Sequence, residues 1–210
     1  MALPSLKLTY FDMPGRGEVI RLALTIGEIP FQDERLSEDA WKEVKPNMPF
    51  KQIPVLTMDG QMYCQTHALA RLASTWSGLY PKNDPLTACR VDEICDFVEE
   101  INQLVEVFFF LLEDPVELKA KCEYLTKDKL PSKFALLETR LTSTGSSGPW
   151  YLDSLTVADL EVYALVKMFK SGTFEYISTD IFNEYIRITT IYEAVASQPK
   201  VAAWNASHTK

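Results

Sequence analysis

Strand-like segments occur only in the first 80 residues of the chain, and helical periodicity dominates after residue 86. This division constrains the fold more strongly than any other feature, because neighbouring elements must bury their apolar sides against one another. The predicted order in the first part is strand, helix, strand, helix, strand, strand, helix, which is typical of a small mixed sheet with helices packed on it. The sequence therefore predicts an α/β domain over 1–80, a linker, and an all-α domain over 87–210.

The elements of the α/β domain have local start and stop signals. The alternating segment KLTYF at 7–11 predicts the first strand, and the apolar spacing over 16–26 predicts a helix. Gly27 suits the carboxyl end of this helix. A second strand is expected around 31–35, and Ser37 after it is the expected N-cap of a short helix.

A hairpin and a third helix complete this domain. The segments PVLTM and QMYC flank Asp59–Gly60, which is the signal of a two-residue hairpin turn. Thr66 follows the hairpin and is expected to cap a helix over 67–77. Capping alone explains a threonine here, but helix starts at Thr66 and at Arg16 also offer amide groups and a positive dipole to a carboxylate.

The later part of the chain is predicted to form helices separated by turn residues. Asp114–Pro115 breaks the periodicity, and Thr156 with Asp159 resembles a capping box that opens a nearly all-round apolar helix. The polar tail that contains His208 is expected to be unstructured. The predicted boundaries are a linker at 78–86, helical segments at 87–112 and 115–142, a loop at 143–149, and helix to about 196.

Charge and hydropathy exclude several kinds of partner. The net charge of −8 argues against sequence-independent binding of nucleic acid, which depends on clustered Lys and Arg. The longest apolar run, VFFFLL at 107–112, is far shorter than the roughly 20 residues of a membrane span. The first residues, MALPSLKLTYF, lack the pattern of a signal peptide, so a cytoplasmic location is expected.

Cysteine and histidine are few and scattered. The four cysteines form no C-x-x-C pair, so reduced thiols are expected rather than disulfides or a zinc site. Two histidines are too few for a histidine-based metal centre or a catalytic triad, and no metal is expected. A glutaredoxin-like thiol function is disfavoured because the turn DMPGR at 12–16 contains no cysteine.

Several motifs, taken together, carry a resemblance to a known family. They are LTYFDMPGRGEVIRLAL from residue 8, DAWKEVKPNMPF from residue 39, QIPVL from residue 52, CQTHALARLA from residue 64, VDEICDFVEE from residue 91 and SLTVADL from residue 154. Over essentially the whole chain the sequence resembles the cytosolic glutathione transferases. It is most similar to the sigma class, which includes prostaglandin D synthases.

The resemblance implies a thioredoxin-like amino-terminal domain, an all-helical carboxy-terminal domain and a homodimer. It also implies that Tyr10 donates a hydrogen bond to the sulfur of the co-substrate glutathione, with Arg16 adding positive charge nearby. A donor held against the sulfur favours the thiolate, which is the minor form of a free thiol at neutral pH. The glutathione-binding residues carried over from the family are Trp41, Lys45, Gln52, Ile53, Pro54, Gln65, Thr66 and Glu100.

Each carried-over position has an implied role. Trp41 and Lys45 contact the glycine end of glutathione, and Gln52–Pro54, with an expected cis peptide before the proline, pairs with the cysteinyl unit. Gln65–Thr66 holds the γ-glutamyl carboxylate at a helix N-terminus, although the family usually has serine rather than threonine there. Glu100, where the family usually has aspartate, is expected to reach the γ-glutamyl amine across the dimer interface.

The second substrate implied by the resemblance is a small hydrophobic electrophile. Its site is expected to be lined by Met13, Pro14, the helix around 104–111 and Trp204 near the chain end. Three functions stay open: a conjugating transferase in detoxification, a glutathione-dependent isomerase like the prostaglandin synthases, and a non-catalytic ligand-binding or structural protein. The retained tyrosine, lysine, glutamine and hydroxyl set favours an enzyme, and conjugation is the preferred hypothesis.

Overall fold

The computed structural model describes residues 5–111 and 114–208, with side chains described except for those of 107–111. These residues form two compact units. The N-terminal unit comprises the described residues of Met1–Pro85 and of Gln198–Lys210, and the helical unit comprises those of Leu86–Ser197. The division differs from the expected ranges at the end of the chain, where the last helix joins the N-terminal unit.

A four-stranded mixed sheet forms the centre of the N-terminal unit. Its strands are β1 Leu6–Phe11, β2 Gln32–Leu36, β3 Val55–Met58 and β4 Gln61–Cys64, in the spatial order β2-β1-β3-β4. β1 pairs in parallel with β2 and antiparallel with β3, and β3 pairs antiparallel with β4. The predicted hairpin is confirmed, because Asp59 and Gly60 join β3 to β4 with positive φ angles of 47° and 84°.

Helices surround the sheet in the N-terminal unit and make up the helical unit. Those of the N-terminal unit are α1 Glu18–Ile26, α2 Glu38–Val44, α3 Thr66–Trp76 and the final helix α9 Pro199–Ser207. The remaining helices are α4 Pro85–Leu111, α5 Pro115–Tyr124, α6 Leu130–Thr142, α7 Val157–Lys170 and α8 Ile186–Ser197. The predicted α/β plus all-α architecture is therefore confirmed.

The packing of α9 explains why the end of the chain belongs to the N-terminal unit. Both α3 and α9 pack against α1, in which all residues from Glu18 to Leu24 are buried. Lys200 of α9 donates to the carbonyl of Ile26 at 2.8 Å and pairs with Glu28 at 3.2 Å. A cation at the carboxyl end of α1 is favoured by the helix dipole. The tail that was expected to be unstructured is thus helical to Ser207, and His208 stacks on Trp204.

The helical unit is organised around α7. All but four of its residues are buried, as its nearly all-round apolar sequence predicted. The predicted capping box at its start is formed, with the Asp159 carboxylate accepting from the Thr156 backbone N–H at 2.8 Å. Phe134, Phe169 and Phe182 form the aromatic part of the core, with ring centroids 4.4–5.7 Å apart.

Three predicted boundaries in the helical part are corrected. α4 begins inside the expected linker, because Pro85 is well suited to the first turn of a helix. A single π-helical turn, Leu125–Lys129, interrupts the helix expected over 115–142. Residues 171–185 form turns rather than helix, with Gly172 at a positive φ of 75°. The side chains of the run at 107–112 lie outside the described residues.

Among the described residues, no helix is both long enough and apolar enough to cross a membrane.

Candidate functional site

The ends of four strands meet at one end of the sheet. The last residue of β1 pairs with the last residue of β2, and Thr9 near the end of β1 pairs with Val55 at the start of β3. Val55 in turn pairs with Cys64 at the end of β4. The segments that follow β1, β2 and β4 and the segment that precedes β3 therefore lie side by side. The candidate residues of the N-terminal unit lie at this end of the sheet. Tyr10 is near the end of β1 itself, and the others belong to these segments: Arg16, Trp41, Lys45, Gln52, Ile53, Pro54, Gln65 and Thr66.

Tyr10 stands at the end of β1 with its ring almost completely buried. The loop after β1 turns back over this ring and leaves no room for a side chain. A Cβ atom at Gly15 would lie 2.7 Å from the Tyr10 hydroxyl oxygen, and one at Gly17 would lie 2.8 Å from the ring. Gly15 also has a positive φ of 41°. The two glycines of the motif are thus required by the close approach of the backbone to the phenol.

The Tyr10 hydroxyl oxygen accepts a hydrogen bond from the backbone N–H of Arg16 at 3.1 Å. A hydroxyl has one proton to donate and two acceptor positions, so this bond does not consume the proton. Accepting a bond also polarises the O–H group and makes it a better donor. The structure therefore connects Arg16 to Tyr10 through the main chain. This contact was not predicted from the sequence, which pointed to the charge of the Arg16 side chain and to a carboxylate as the partner of the amide groups at this helix start.

Trp41 and Lys45 lie together on the segment after β2. The Phe11 ring meets the Trp41 ring edge-on at 6.0 Å, and Lys45 Nζ lies over the Trp41 ring at 5.7 Å. The predicted N-cap of their helix is confirmed, because the Ser37 hydroxyl accepts from the Ala40 N–H at 3.2 Å. Trp41 is half-buried and Lys45 exposed, so the ammonium group is presented to solvent beside an aromatic surface.

The segment before β3 carries the next three candidates. Gln52 is exposed and extended, and the Ile53–Pro54 peptide is cis, as expected. Pro54 is buried and leads directly into β3, which lies between β1 and β4. Ile53 therefore lies beside the ends of both neighbouring strands.

The start of α3 differs from the prediction. Thr66 is the first helical residue, and Gln65 occupies the N-cap position without a side-chain capping bond. Gln65 has φ 80° and ψ 115°, a conformation that costs a non-glycine residue of the order of 1–3 kcal/mol. The strained backbone lets the Gln65 carbonyl accept from Leu69 N–H at 3.0 Å while the helix starts one residue early. A helix N-terminus of this kind, with its positive dipole end, favours an anion.

Glu100 is the one candidate in the helical unit. It lies on α4 with 59% of its side chain exposed, and its carboxylate accepts from Lys133 Nζ at 2.6 Å. The same ammonium group lies over the Phe97 ring at 4.8 Å. The Glu100 carboxylate thus has a cation as its partner within the helical unit.

A buried ionic group near Tyr10 was not predicted from the sequence. Arg21 of α1 is completely buried, its guanidinium lies 5.6 Å from the Tyr10 ring centroid, and its Nε donates to Asp33 at 2.9 Å. Asp33 also accepts from Arg35 at 2.7 Å. A charged residue inside the apolar sequence VIRLAL was the signal that could have identified Arg21.

Two further expectations concern the electrophile and metals. Trp204 of α9 lies 6.3 Å from the Phe31 ring, with Arg35 over its own ring at 5.9 Å, so it belongs to an aromatic cluster beside β2. In the part of the chain that the structure describes, no three His, Cys, Asp or Glu side chains are grouped so that they could hold a metal ion.

Comparison with known proteins gives consistent matches along the chain. The model of the glutathione S-transferase N-terminal domain matches residues 6–72, and that of the C-terminal domain matches residues 99–208. The chain is 31% identical to glutathione S-transferase 1 of Ascaris suum, covering 99% of this chain and 98% of the relative. It is 30% identical to the hematopoietic prostaglandin D synthase of Gallus gallus, covering 96% of each.

A solved structure extends the comparison to three dimensions. The crystal structure of a glutathione S-transferase of the hookworm Necator americanus, described as monomeric, superposes with a TM-score of 0.81 at 30% identity, covering 98% of both chains. Two domain matches, full-length relatives and the same fold together identify the chain as a member of the glutathione S-transferase family.

Proposed function

We propose that this enzyme binds glutathione across the end of the sheet and activates its thiol through Tyr10 for attack on a small hydrophobic electrophile. The observation that carries the proposal is the Tyr10 hydroxyl, held by the Arg16 N–H at the sheet end where the other candidate residues meet. The domain matches support glutathione as the co-substrate. The helical unit is proposed to contribute the electrophile site.

The dimensions of the sheet support an extended tripeptide as the ligand. Three spacings separate β2 from β4, which amounts to about 14 Å at the usual distance between strands. An extended tripeptide spans roughly 10 Å, and the γ-linkage of glutathione lengthens it. In this arrangement Trp41 and Lys45 receive the glycine end, Gln52–Pro54 pairs with the cysteinyl backbone, and Gln65–Thr66 receives the γ-glutamyl carboxylate.

The chemistry requires a modest change in the thiol. With a pKa of about 8.5, only a few per cent of a free thiol is ionised at neutral pH. Lowering this pKa by about two units corresponds to about 2.7 kcal/mol, within the range of a charge-assisted hydrogen bond with a nearby positive charge. The bound electrophile then meets an oriented thiolate, and the Arg16 side chain is proposed to add positive potential there.

Glutathione-dependent isomerisation is the second candidate. It is favoured by the 30% identity to a hematopoietic prostaglandin D synthase over nearly the whole chain. Both reactions use the same thiolate, and they differ in its fate: conjugation consumes glutathione as a thioether, whereas isomerisation regenerates it. A screen with glutathione and aryl halides, unsaturated carbonyls, hydroperoxides and prostaglandin H-type endoperoxides separates them. Turnover of an endoperoxide without consumption of glutathione would make isomerisation the function, and conjugation of halides or carbonyls would make it a transferase of the detoxifying kind.

Millimolar glutathione is expected to raise the melting temperature of the protein, because the residues that bind it are brought together only in the folded chain. The matched control is the analogue in which 2-aminobutyrate replaces cysteine. It should stabilise the fold nearly as much, since most proposed contacts lie outside the sulfur, but it should give no thiolate absorbance. Calorimetry that detects no binding of either compound would contradict every glutathione-dependent function.

A homodimer in the cytoplasm, of the sigma class, is the proposed state of the enzyme. Phe50 supports a second copy of the chain as the partner. It is 75% exposed and has a positive φ of 50°, so an unfavourable backbone conformation holds an aromatic ring at the surface. Met62 and Tyr63 on β4 add exposed apolar surface in the same unit. In the dimer, Glu100 is proposed to reach the γ-glutamyl end of glutathione bound by the partner.

Sedimentation at micromolar concentration is expected to show a dimer that Phe50→Ser converts to monomer. The control Leu136→Ser removes an exposed apolar side chain of the helical unit and should leave the dimer intact. A wild-type monomer would overturn the proposed assembly, and the monomeric hookworm relative makes this a real alternative. Glu100 would then have no role across an interface, and its pairing with Lys133 would remain.

A further inference from the structure

The buried guanidinium of Arg21 is bonded to the loop that follows β1. Its Nη1 donates to the carbonyl of Met13 at 2.8 Å and to that of Pro14 at 3.3 Å. Its Nη2 donates to the carbonyl of Phe11 at 3.2 Å. A single side chain of α1 therefore holds three carbonyls within four consecutive residues of this loop.

The remaining edge of the guanidinium is turned to β2. Nε donates to Asp33 at 2.9 Å, and Glu18 of the same helix lies 3.9 Å from Nη1. Arg21 has no exposed surface, so these bonds replace the water that the cation loses on folding. The planar fork of arginine can serve the carboxylate and the carbonyls together, whereas an ammonium group cannot reach all of them.

The loop held in this way ends at the atom that positions the Tyr10 hydroxyl. Pro14 is followed by Gly15, which lies against the phenol, and by Arg16, whose N–H donates to the Tyr10 oxygen. The direction of the hydroxyl proton depends on where this N–H donates, because the donor and acceptor positions of the oxygen are fixed relative to one another. A shift of the loop changes the donor geometry at Tyr10 without touching glutathione.

We propose that Arg21, supported by Asp33, is a positioning residue for thiol activation that acts on Tyr10 through the backbone of residues 11–16. This inference rests on the proposed role of Tyr10 and goes one step further. It attributes the position of the Tyr10 hydroxyl to the ion pair between Arg21 and Asp33. Arg21 contacts neither substrate, and its effect is expected on the thiolate rather than on the binding of the tripeptide.

Arg21→Lys tests the proposal. Lysine keeps a positive charge beside Asp33 but cannot donate to all three carbonyls. We expect the pKa of bound glutathione, measured by thiolate absorbance, to rise by about 0.5–1 unit, and turnover at pH 6.5 to fall about three- to ten-fold. The dissociation constant of glutathione should change less than two-fold. An unchanged thiol titration in a folded Arg21→Lys protein would overturn the proposal.

Glu34→Gln is the matched control. Glu34 is on the same strand as Asp33 and accepts from Thr9 at 2.6 Å and Lys7 at 2.9 Å, so it also joins β2 to β1, but it has no bond to the loop at 11–16. We expect it to lower stability without changing the thiol pKa. Equal rises in the thiol pKa for Glu34→Gln and Arg21→Lys would reduce the role of Arg21 to general stability and contradict positioning.

A double-mutant cycle with Tyr10→Phe separates this inference from the proposed function. Once the hydroxyl is gone, Arg21→Lys should add no further change in the thiol pKa, because its effect passes through that group. If Tyr10→Phe alone leaves the thiol titration unchanged, the proposed function fails. If Tyr10→Phe raises the pKa and Arg21→Lys does not, or if the two effects add, only the positioning role fails.

Asp33→Asn tests the positioning role if the Arg21→Lys protein does not fold. The amide keeps the volume and an oxygen acceptor for Nε while removing the charge that orients the guanidinium. A folded Asp33→Asn protein should show a rise of about 0.3 unit or more in the thiol pKa, which the cycle with Tyr10→Phe again abolishes. No rise in this variant would refute the proposed support by Asp33 and, without a folded Arg21→Lys protein, the inference as a whole.

Discussion

Turnover at pH 6.5 is expected to fall about ten- to a hundred-fold when Tyr10 is replaced by phenylalanine, matching about 1.4–2.7 kcal/mol of lost thiolate stabilisation. Phenylalanine keeps the ring that packs against Gly15 and Gly17 and removes only the hydroxyl. Glutathione affinity and the fold should stay nearly intact, because the other proposed contacts lie on neighbouring segments. The defect is therefore expected in the chemical step and not in binding.

The pH dependence distinguishes activation of the thiol from a packing role of Tyr10. Raising the pH restores thiolate directly, so the variant should recover part of its rate above the pKa of a free thiol. The measurement is turnover against pH for both proteins, with thiolate absorbance followed in parallel. Tyr63→Phe, which removes the hydroxyl of an exposed tyrosine in the same sheet, is the control. Identical pH profiles for wild type and Tyr10→Phe would mean that Tyr10 has only a packing role, and the Arg16 side chain would become the next candidate donor.

Asp159→Asn is expected to lower the free energy of unfolding at pH 7 by about 2–4 kcal/mol. The carboxylate is completely buried and accepts from Tyr151 N–H at 2.7 Å, from Thr156 N–H at 2.8 Å and from the Thr156 hydroxyl at 3.0 Å. In asparagine an NH₂ group replaces one of the two oxygens, and this group cannot accept a hydrogen bond from the N–H or O–H that faces it. Because α7 is central to the helical unit, the loss reaches the whole core around it. Denaturant unfolding measures it, and Asp153→Asn at an exposed position nearby is the control.

The same residue predicts a dependence of stability on pH. Burial raises the pKa of Asp159 to about 6, although the hydrogen bonds from Tyr151 and Thr156 favour the ionised form. The folded state then holds the proton more tightly than the unfolded state, so this contribution is complete at low pH and is lost as the pH rises through about 6. We expect the difference in stability between wild type and Asp159→Asn to be about 1.4 kcal/mol larger at pH 5 than at pH 8. A constant difference would mean that Asp159 stays ionised throughout.

Local chemistry explains which elements could be predicted. The hairpin at Asp59–Gly60 and the caps at Ser37 and Thr156 follow from residue types that favour one backbone conformation or one short-range bond. The turns at 171–185 could not be recognised in this way, because their side chains are apolar often enough to imitate helical periodicity. Periodicity reports a buried face but does not distinguish a helix from a buried series of turns.

The sequence indicated which residues would lie at the candidate site, but it indicated few of the contacts that these residues make. Family resemblance pointed to residues near the end of β1 and in the segments that follow β1, β2 and β4 or precede β3, and the sheet register explains why they converge. The start of α3 was misassigned because the threonine there is an excellent cap by type, while the structure gives the cap position to Gln65 in a conformation that propensity disfavours. Strain of this kind is stable only when the surrounding fold imposes it.

The sequence by itself determined the two-part architecture, the strand–loop–helix unit that carries Tyr10, and the family to which the chain belongs. Only the tertiary structure showed that the two glycines of the motif make room for the Tyr10 ring, that Arg21 holds the loop from behind, and that α9 packs on α1. The physical reason is sequence distance. Propensity and periodicity act within about one helical turn, whereas a close backbone approach, a buried ion pair or a returning helix depends on residues brought together by the complete fold.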